Sequence, residues 1–181
     1  MQKAYPEKVI EYLENKSFKS WNLEWSETSG IEIAIVIPAI CEFENVKRVL
    51  LSLARNDKSC LQNSLVIFVI NNSISSQQEV KEDNKSSLKF LRALISRSPS
   101  DQLSNQIIHS GIRIGLIDAA SEGKEFDDAI AGVGLARKIG MDTALKVFDY
   151  SIPGKKLIIS LDADCLVEEN YLSEISLFFK K

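Results

Sequence analysis

Leu65-Val66-Ile67-Phe68-Val69-Ile70 is apolar at every position and is closed by Asn71-Asn72-Ser73. A strand with one wet face alternates in polarity, so a short run that is apolar throughout reads as a strand covered on both faces. Upstream, Ile33-Ala34-Ile35-Val36-Ile37 has the same character, and Pro38, which lacks an N–H for the ladder, is expected to stop it. Between the two lie Val46, Val49, Leu50 and Leu53, spaced i, i+3, i+4 and i+7 as on one face of a helix. Further along, residues 112–117 read as a third strand, interrupted by Arg113 and Gly115, and residues 157–161 as a fourth. Helices are expected over residues 85–97, with Leu88, Leu91, Leu94 and Ile95 on one face, over 131–150 and over 168–180. A short leading helix over residues 6–15 has Pro6 in its first turn, and residues 26–30 form a polar break. Residues 73–84 and 121–128 read as surface loops without assignable chemistry. Fully apolar strands alternating with helices predict an α/β fold, Rossmann-like, with a mainly parallel sheet and helices on both faces. Residues 1–30 are the expected leader and linker, and 31–181 the domain.

Composition narrows the function classes. The chain has 181 residues, 45% of them hydrophobic, and a formal net charge of -3. That suits one globular domain with a real core and argues against a dedicated nucleic-acid binder. Cys41, Cys60 and Cys165 are odd in number and scattered, as expected for reduced cytoplasmic thiols. With His109 as its single histidine, the chain is poorly supplied for a zinc site or a Ser-His-Asp triad. No apolar stretch is long enough to span a bilayer.

Asp162-Ala163-Asp164 directly follows the apolar run 157–161. Side chains at i and i+2 share one face of a strand, so a strand continuing through Asp164 would aim both carboxylates at one place. In open α/β sheets ligands bind at that carboxyl end. Two acids so close repel unless a proton or cation lies between them, and a hard divalent ion is the simplest answer.

Gly132-Val133-Gly134-Leu135-Ala136-Arg137 approximates a G-x-G-x-x-G dinucleotide fingerprint, but Arg137 stands at the third glycine and no strand precedes it. Two readings remain. The segment is a helix start whose N–H groups and Arg137 favour an anion, or its glycines allow close packing while Arg137 pairs with a surface acid.

The order of these features resembles the family 2 glycosyltransferases, which have the GT-A fold. Val36-Ile37-Pro38-Ala39 followed by Glu42 and Glu44-Asn45 resembles the family's V-I-P-x-Y-N-E opening. Gly134-Leu135-Ala136-Arg137-Lys138-Ile139-Gly140 is similar to its G-x-A-R-N-x-G segment. Asp162-Ala163-Asp164 falls where the family has its D-x-D, and Asn170-Tyr171-Leu172 resembles its P-x-Y-L. The resemblance covers about residues 31–177. It implies metal-dependent, inverting transfer of a sugar from a nucleotide-diphosphate donor to an unknown acceptor. Mg²⁺ or Mn²⁺ would be held by Asp164, with Asp162 assisting through ribose, water or metal. Arg137 would face the phosphates, and Ala39, Glu42 and Asn71 would line the nucleoside pocket.

The departures matter as much. Ile40-Cys41 stands where the family has Tyr-Asn, Lys138 where it has Asn, and Asn71 where it has a base-reading aspartate. The family's acceptor half, with its catalytic base, would follow the D-x-D. Only 17 residues follow Asp164, and Glu168, Glu169 and Glu174 lie too close along the chain to replace that half. The expectation is a GT-A domain incomplete at its C-terminal end, with the base beyond Lys181. Leu172, Ile175, Leu177 and Phe178 would then leave an uncovered face that favours self-association. The chain is expected in the cytoplasm or at the inner face of a membrane. A nucleotide-sugar-binding module without catalysis is one alternative. A nucleotidyltransferase is the other, against which counts the absence of glycine from residues 38–44.

Overall fold

A computed structural model describes residues 5–26, 29–99 and 101–180. Five strands form one sheet in the order β1-β4-β3-β2-β5. They are β1 (Leu23–Trp25), β2 (Ile33–Ala39), β3 (Ser64–Asn71), β4 (Ile114–Ala119) and β5 (Leu157–Ser160). All neighbours pair parallel except β1, which runs antiparallel to β4. The helices are α1 (Glu7–Lys16), α2 (Phe43–Ala54), α3 (Lys58–Gln62), α4 (Gln78–Ile95), α5 (Gln102–Ser110), α6 (Val133–Val147) and α7 (Tyr171–Lys180). No helix among the described residues is long and apolar enough to cross a membrane.

The apolar strands do serve two cores. Ile33, Ile35 and Ile37 of β2, with Val66, Phe68 and Ile70 of β3, pack beneath α2, α4, α5 and α7. Ala34, Val36, Leu65, Ile67 and Val69 face the other way and meet Ala136, Ile139, Ala144 and Val147 of α6. Gly140 lets α6 lie close, since a Cβ there would run into Val36 Cγ1 and Val69 Cγ2.

Four differences from the sequence reading have physical causes. Pro38 does not end β2, which continues to Ala39. Val36 C=O accepts from Leu161 N at 3.1 Å, so residue 38 faces the same flank, past the end of β5, where no N–H is required. The stretch 73–84 is not all loop, because α4 begins at Gln78 and runs 18 residues. β1, inside the stretch read as leader and linker, adds a strand beside β4, where Leu23 Cδ1 fills the space a Cβ on Gly115 would need. Finally, β5 ends at Ser160, before the aspartates.

The leader also docks. Lys138 on α6 donates to Lys16 C=O at 2.8 Å and Asp142 Oδ2 at 2.7 Å, while Tyr12 donates to Asp142 Oδ1 at 3.0 Å. Lys138 thus serves as a clamp for α1, a sufficient physical role for a lysine at that position.

Candidate functional site

Strand order creates the site. The chain runs from β2 outward to β3 and β4, then crosses back to lay β5 on the opposite side of β2. The crevice beyond the carboxyl ends of β2 and β5 is therefore a topological switch point, the usual ligand position in open α/β sheets. A cavity of about 340 Å³ opens there, lined by Pro38, Ala39, Ile40, Glu42, Asn71, Val133, Arg137, Asp162, Ala163 and Asp164. Every site residue expected from the sequence (Ala39, Glu42, Asn71, Arg137, Asp162 and Asp164) is in that lining.

The aspartates converge by a different route from the one expected. Cys165 N donates to Asp162 C=O at 3.1 Å, closing a turn over residues 162–165. Ala163 is buried at the turn and anchors it, while Asp162, Asp164 and Cys165 are exposed. One donor atom from each of these three lies within 4.8 Å of the others. Two carboxylates on an open turn suit a hard divalent ion. Desolvation, then the charges of Asp164 and Asp162, push the Cys165 thiol above its ordinary pKa, and a soft sulfur suits a hard divalent ion less than the two carboxylates do.

On the β2 side, Glu42 lies at the start of α2 but does not cap it. Its carboxyl is raised above the ordinary range by burial, then by the charges of Asp164, Asp162 and Asp83, against the opposing bond from Asn45 Nδ2. The cavity thus holds three lining carboxylates, Glu42, Asp162 and Asp164, against Arg137 as its one lining cation among the described residues.

Asn71 is 3% exposed, at the end of β3. Its Nδ2 donates to Ala39 C=O at 3.1 Å and Val69 C=O at 3.2 Å. Those carbonyls fix the amide's orientation, since a flip would set oxygen against oxygen. Oδ1 makes no bond among the described residues, and Asn71 is one of the residues that line the cavity.

The start of α6 forms the remaining wall. Gly132 holds the N-cap position at φ 150°, outside the range of ordinary side chains, and no side chain caps the helix. Gly134 has open space where a Cβ would sit, so it serves no close packing. Arg137 does pair with an acid, as one sequence reading had it, but that acid is Asp162 within the same cavity.

No protein-family model, curated protein or solved structure matches this chain. The site therefore rests on its own geometry.

That geometry includes residues missed in the sequence. Asn84, 1% exposed on α4, donates to Asn71 C=O at 3.0 Å and Asn72 Oδ1 at 2.9 Å, and accepts from Cys41 N at 2.9 Å. Asp83 accepts from Phe43 N at 3.0 Å, supplying the cap that Glu42 does not. Together they fix the 40–43 turn, where Cys41 holds φ 57°, a costly conformation for a non-glycine residue. The available signal was spacing, since Asn84, Leu88 and Leu91 follow i, i+4 and i+7. Glu168, Glu169 and Glu174 do not line the cavity. A larger cavity of about 570 Å³ lies at the other end of the sheet, around Glu32, Cys60, Pro153 and Phe179, away from all these groups.

Proposed function

We propose that the chain binds a nucleotide-diphosphate sugar with Mg²⁺ or Mn²⁺ and belongs to a metal-dependent, inverting glycosyltransferase of GT-A type. What supports this most is the meeting of four separate stretches, residues 38–42, 71, 133–137 and 162–164, at one switch-point cavity. Asn71 Oδ1 offers an acceptor to a base bearing a ring N–H, such as uracil or guanine. The uncapped α6 start and Arg137 offer N–H groups to the diphosphate. Asp164 and Asp162 would hold the divalent ion, which supplies positive charge against that of the diphosphate leaving group.

The observation that Glu168, Glu169 and Glu174 lie outside the cavity favours a second reading, a nucleotide-sugar-binding module without its own catalytic base. The edge position of β5 and, on α7, Leu177 at 58% and Phe178 at 72% exposure favour self-association. Leu172 is fully buried and takes no part in that surface.

A thermal-shift panel tests nucleotide binding. UDP or GDP with Mn²⁺ should raise Tm, because a ligand of the folded state stabilises it. CDP and ADP should do so less. Indifference to all four would sink both readings.

A further inference from the structure

Arg137 stands where the cavity changes sign. Its Nη2 donates to Asp162 Oδ1, and its Nε is buried with no hydrogen-bond partner among the described residues. A guanidinium presents five donors in a rigid fork. One bond to Asp162 leaves a desolvated donor unsatisfied, so this carboxylate is not the full complement of the side chain. A diphosphate, with more oxygens over a wider span, meets the fork better.

Asp162 also belongs, with Asp164 and Cys165, to the donor group gathered within 4.8 Å. Guanidinium and divalent ion thus call on the same carboxylate. Across the cavity, buried Asn71 lines the same space, and its Oδ1 has no hydrogen-bond partner among the described residues.

We infer that Arg137 gates the cation site. In the empty cavity its guanidinium neutralises Asp162 and holds a divalent ion off. An arriving diphosphate draws Arg137 onto its own oxygens and frees Asp162 for the ion. The inference rests on the nucleotide reading above and adds to it an order of events. Cation alone binds weakly, and nucleotide and cation strengthen each other's binding by the same factor, as linkage requires.

The test is calorimetry of the 181-residue chain with Mn²⁺ alone, UDP alone and the two together, for wild type and Arg137→Gln. In wild type, UDP should tighten Mn²⁺ by about tenfold or more, within the usual range of coupling. Arg137→Gln should tighten Mn²⁺ alone by several-fold while weakening UDP alone. Those opposite signs separate a gate from damage, since a misfolded or distorted cavity weakens both. Manganese electron resonance reads the same free-ion affinity independently of heat. If wild type binds Mn²⁺ and UDP together but Arg137→Gln leaves Mn²⁺ alone unchanged or weaker, the gate is wrong and the nucleotide reading stands. If wild type binds neither in any combination, both fall.

Discussion

Two aspartates near the carboxyl ends of strands each meet an arginine, and their surroundings differ in kind. Asp118, in β4, is 4% exposed and saturated. It accepts from Ser121 N at 2.9 Å, Ser121 Oγ at 2.8 Å, Ala120 N at 3.2 Å, Arg92 Nη2 at 2.7 Å and Lys124 Nζ at 3.2 Å. Arg92 in turn grips both oxygens of Glu24, at 2.7 and 2.8 Å, and so ties β1 to α4 and β4. Asp162, just past β5, is exposed, and its one ion-pair partner among the described residues is Arg137, itself left with an orphaned Nε. A buried charge with every lone pair occupied belongs to the architecture. A charge pair left short of partners at a cavity mouth has capacity for something else.

If that contrast is sound, the largest effect falls on stability at the saturated aspartate. Asp118→Ala takes from Arg92 one of its two carboxylate partners and leaves the N–H groups of Ala120 and Ser121 without their acceptor. Leaving such buried donors unpaired costs roughly 2 kcal/mol, a fall in Tm of about 4–8 °C for a chain of this size. A loss of only a degree or two in thermal melts would mean that Asp118 is not structural.

Its pH dependence follows in sign. Burial pushes the Asp118 carboxyl up, but the bonds from Ser121, Arg92 and Ala120 overcome it and hold the group well below the ordinary carboxylate range. A depressed folded-state pKa stabilises fully above the unfolded value of about 3.9. That stabilisation is lost as pH falls from there through the lower folded value. Acid titrations of wild type should therefore steepen below about pH 4, and Asp118→Asn should flatten that limb.

At the open pair the ranking reverses. Asp162→Asn should leave Tm within about 2 °C, as exposed substitutions do, yet weaken nucleotide binding in the presence of Mn²⁺. Arg137→Ala should weaken UDP by about tenfold or more, the worth of a charge-assisted bond, and leave uridine little changed. Equal losses for nucleotide and nucleoside, measured by calorimetry, would return Arg137 to a structural role.

A smaller difference tests the far end of the cavity. With both Nδ2 hydrogens of Asn71 committed to Ala39 and Val69, only an acceptor is left to meet a base placed there. UDP should therefore outbind CDP by about tenfold, since cytosine sets a lone pair against Oδ1 and leaves it unpaired. Equal affinities would show that the base lies elsewhere.

The strands that decide the fold were legible because β2, β3 and β5 are short apolar runs. Elements without such runs were not. β1 is three residues long, α5 is only nine residues long, and the first half of α4 is polar enough to read as loop. That Asp162 and Asp164 lie at a strand end was legible because they closely follow an apolar run, whereas Ala39, Glu42 and Asn71 entered only through the family resemblance. What holds them was not. Asp83 and Asn84 act through backbone groups distant in sequence, and no local pattern encodes such contacts. The turn that gathers Asp162 and Asp164 was not legible either, because a strand continuing past residue 161 would bring the two carboxylates to one face as well.

The central claim is that the cavity beyond β2 and β5 holds a nucleotide diphosphate through a cation on Asp164. Titrating UDP into wild type and Asp164→Asn, with Mn²⁺ and then with chelator, tests it directly. The account predicts tighter binding with Mn²⁺ for wild type, and no metal dependence for Asp164→Asn with its melting temperature retained. Equal affinity with and without Mn²⁺ for the folded wild-type chain would contradict it.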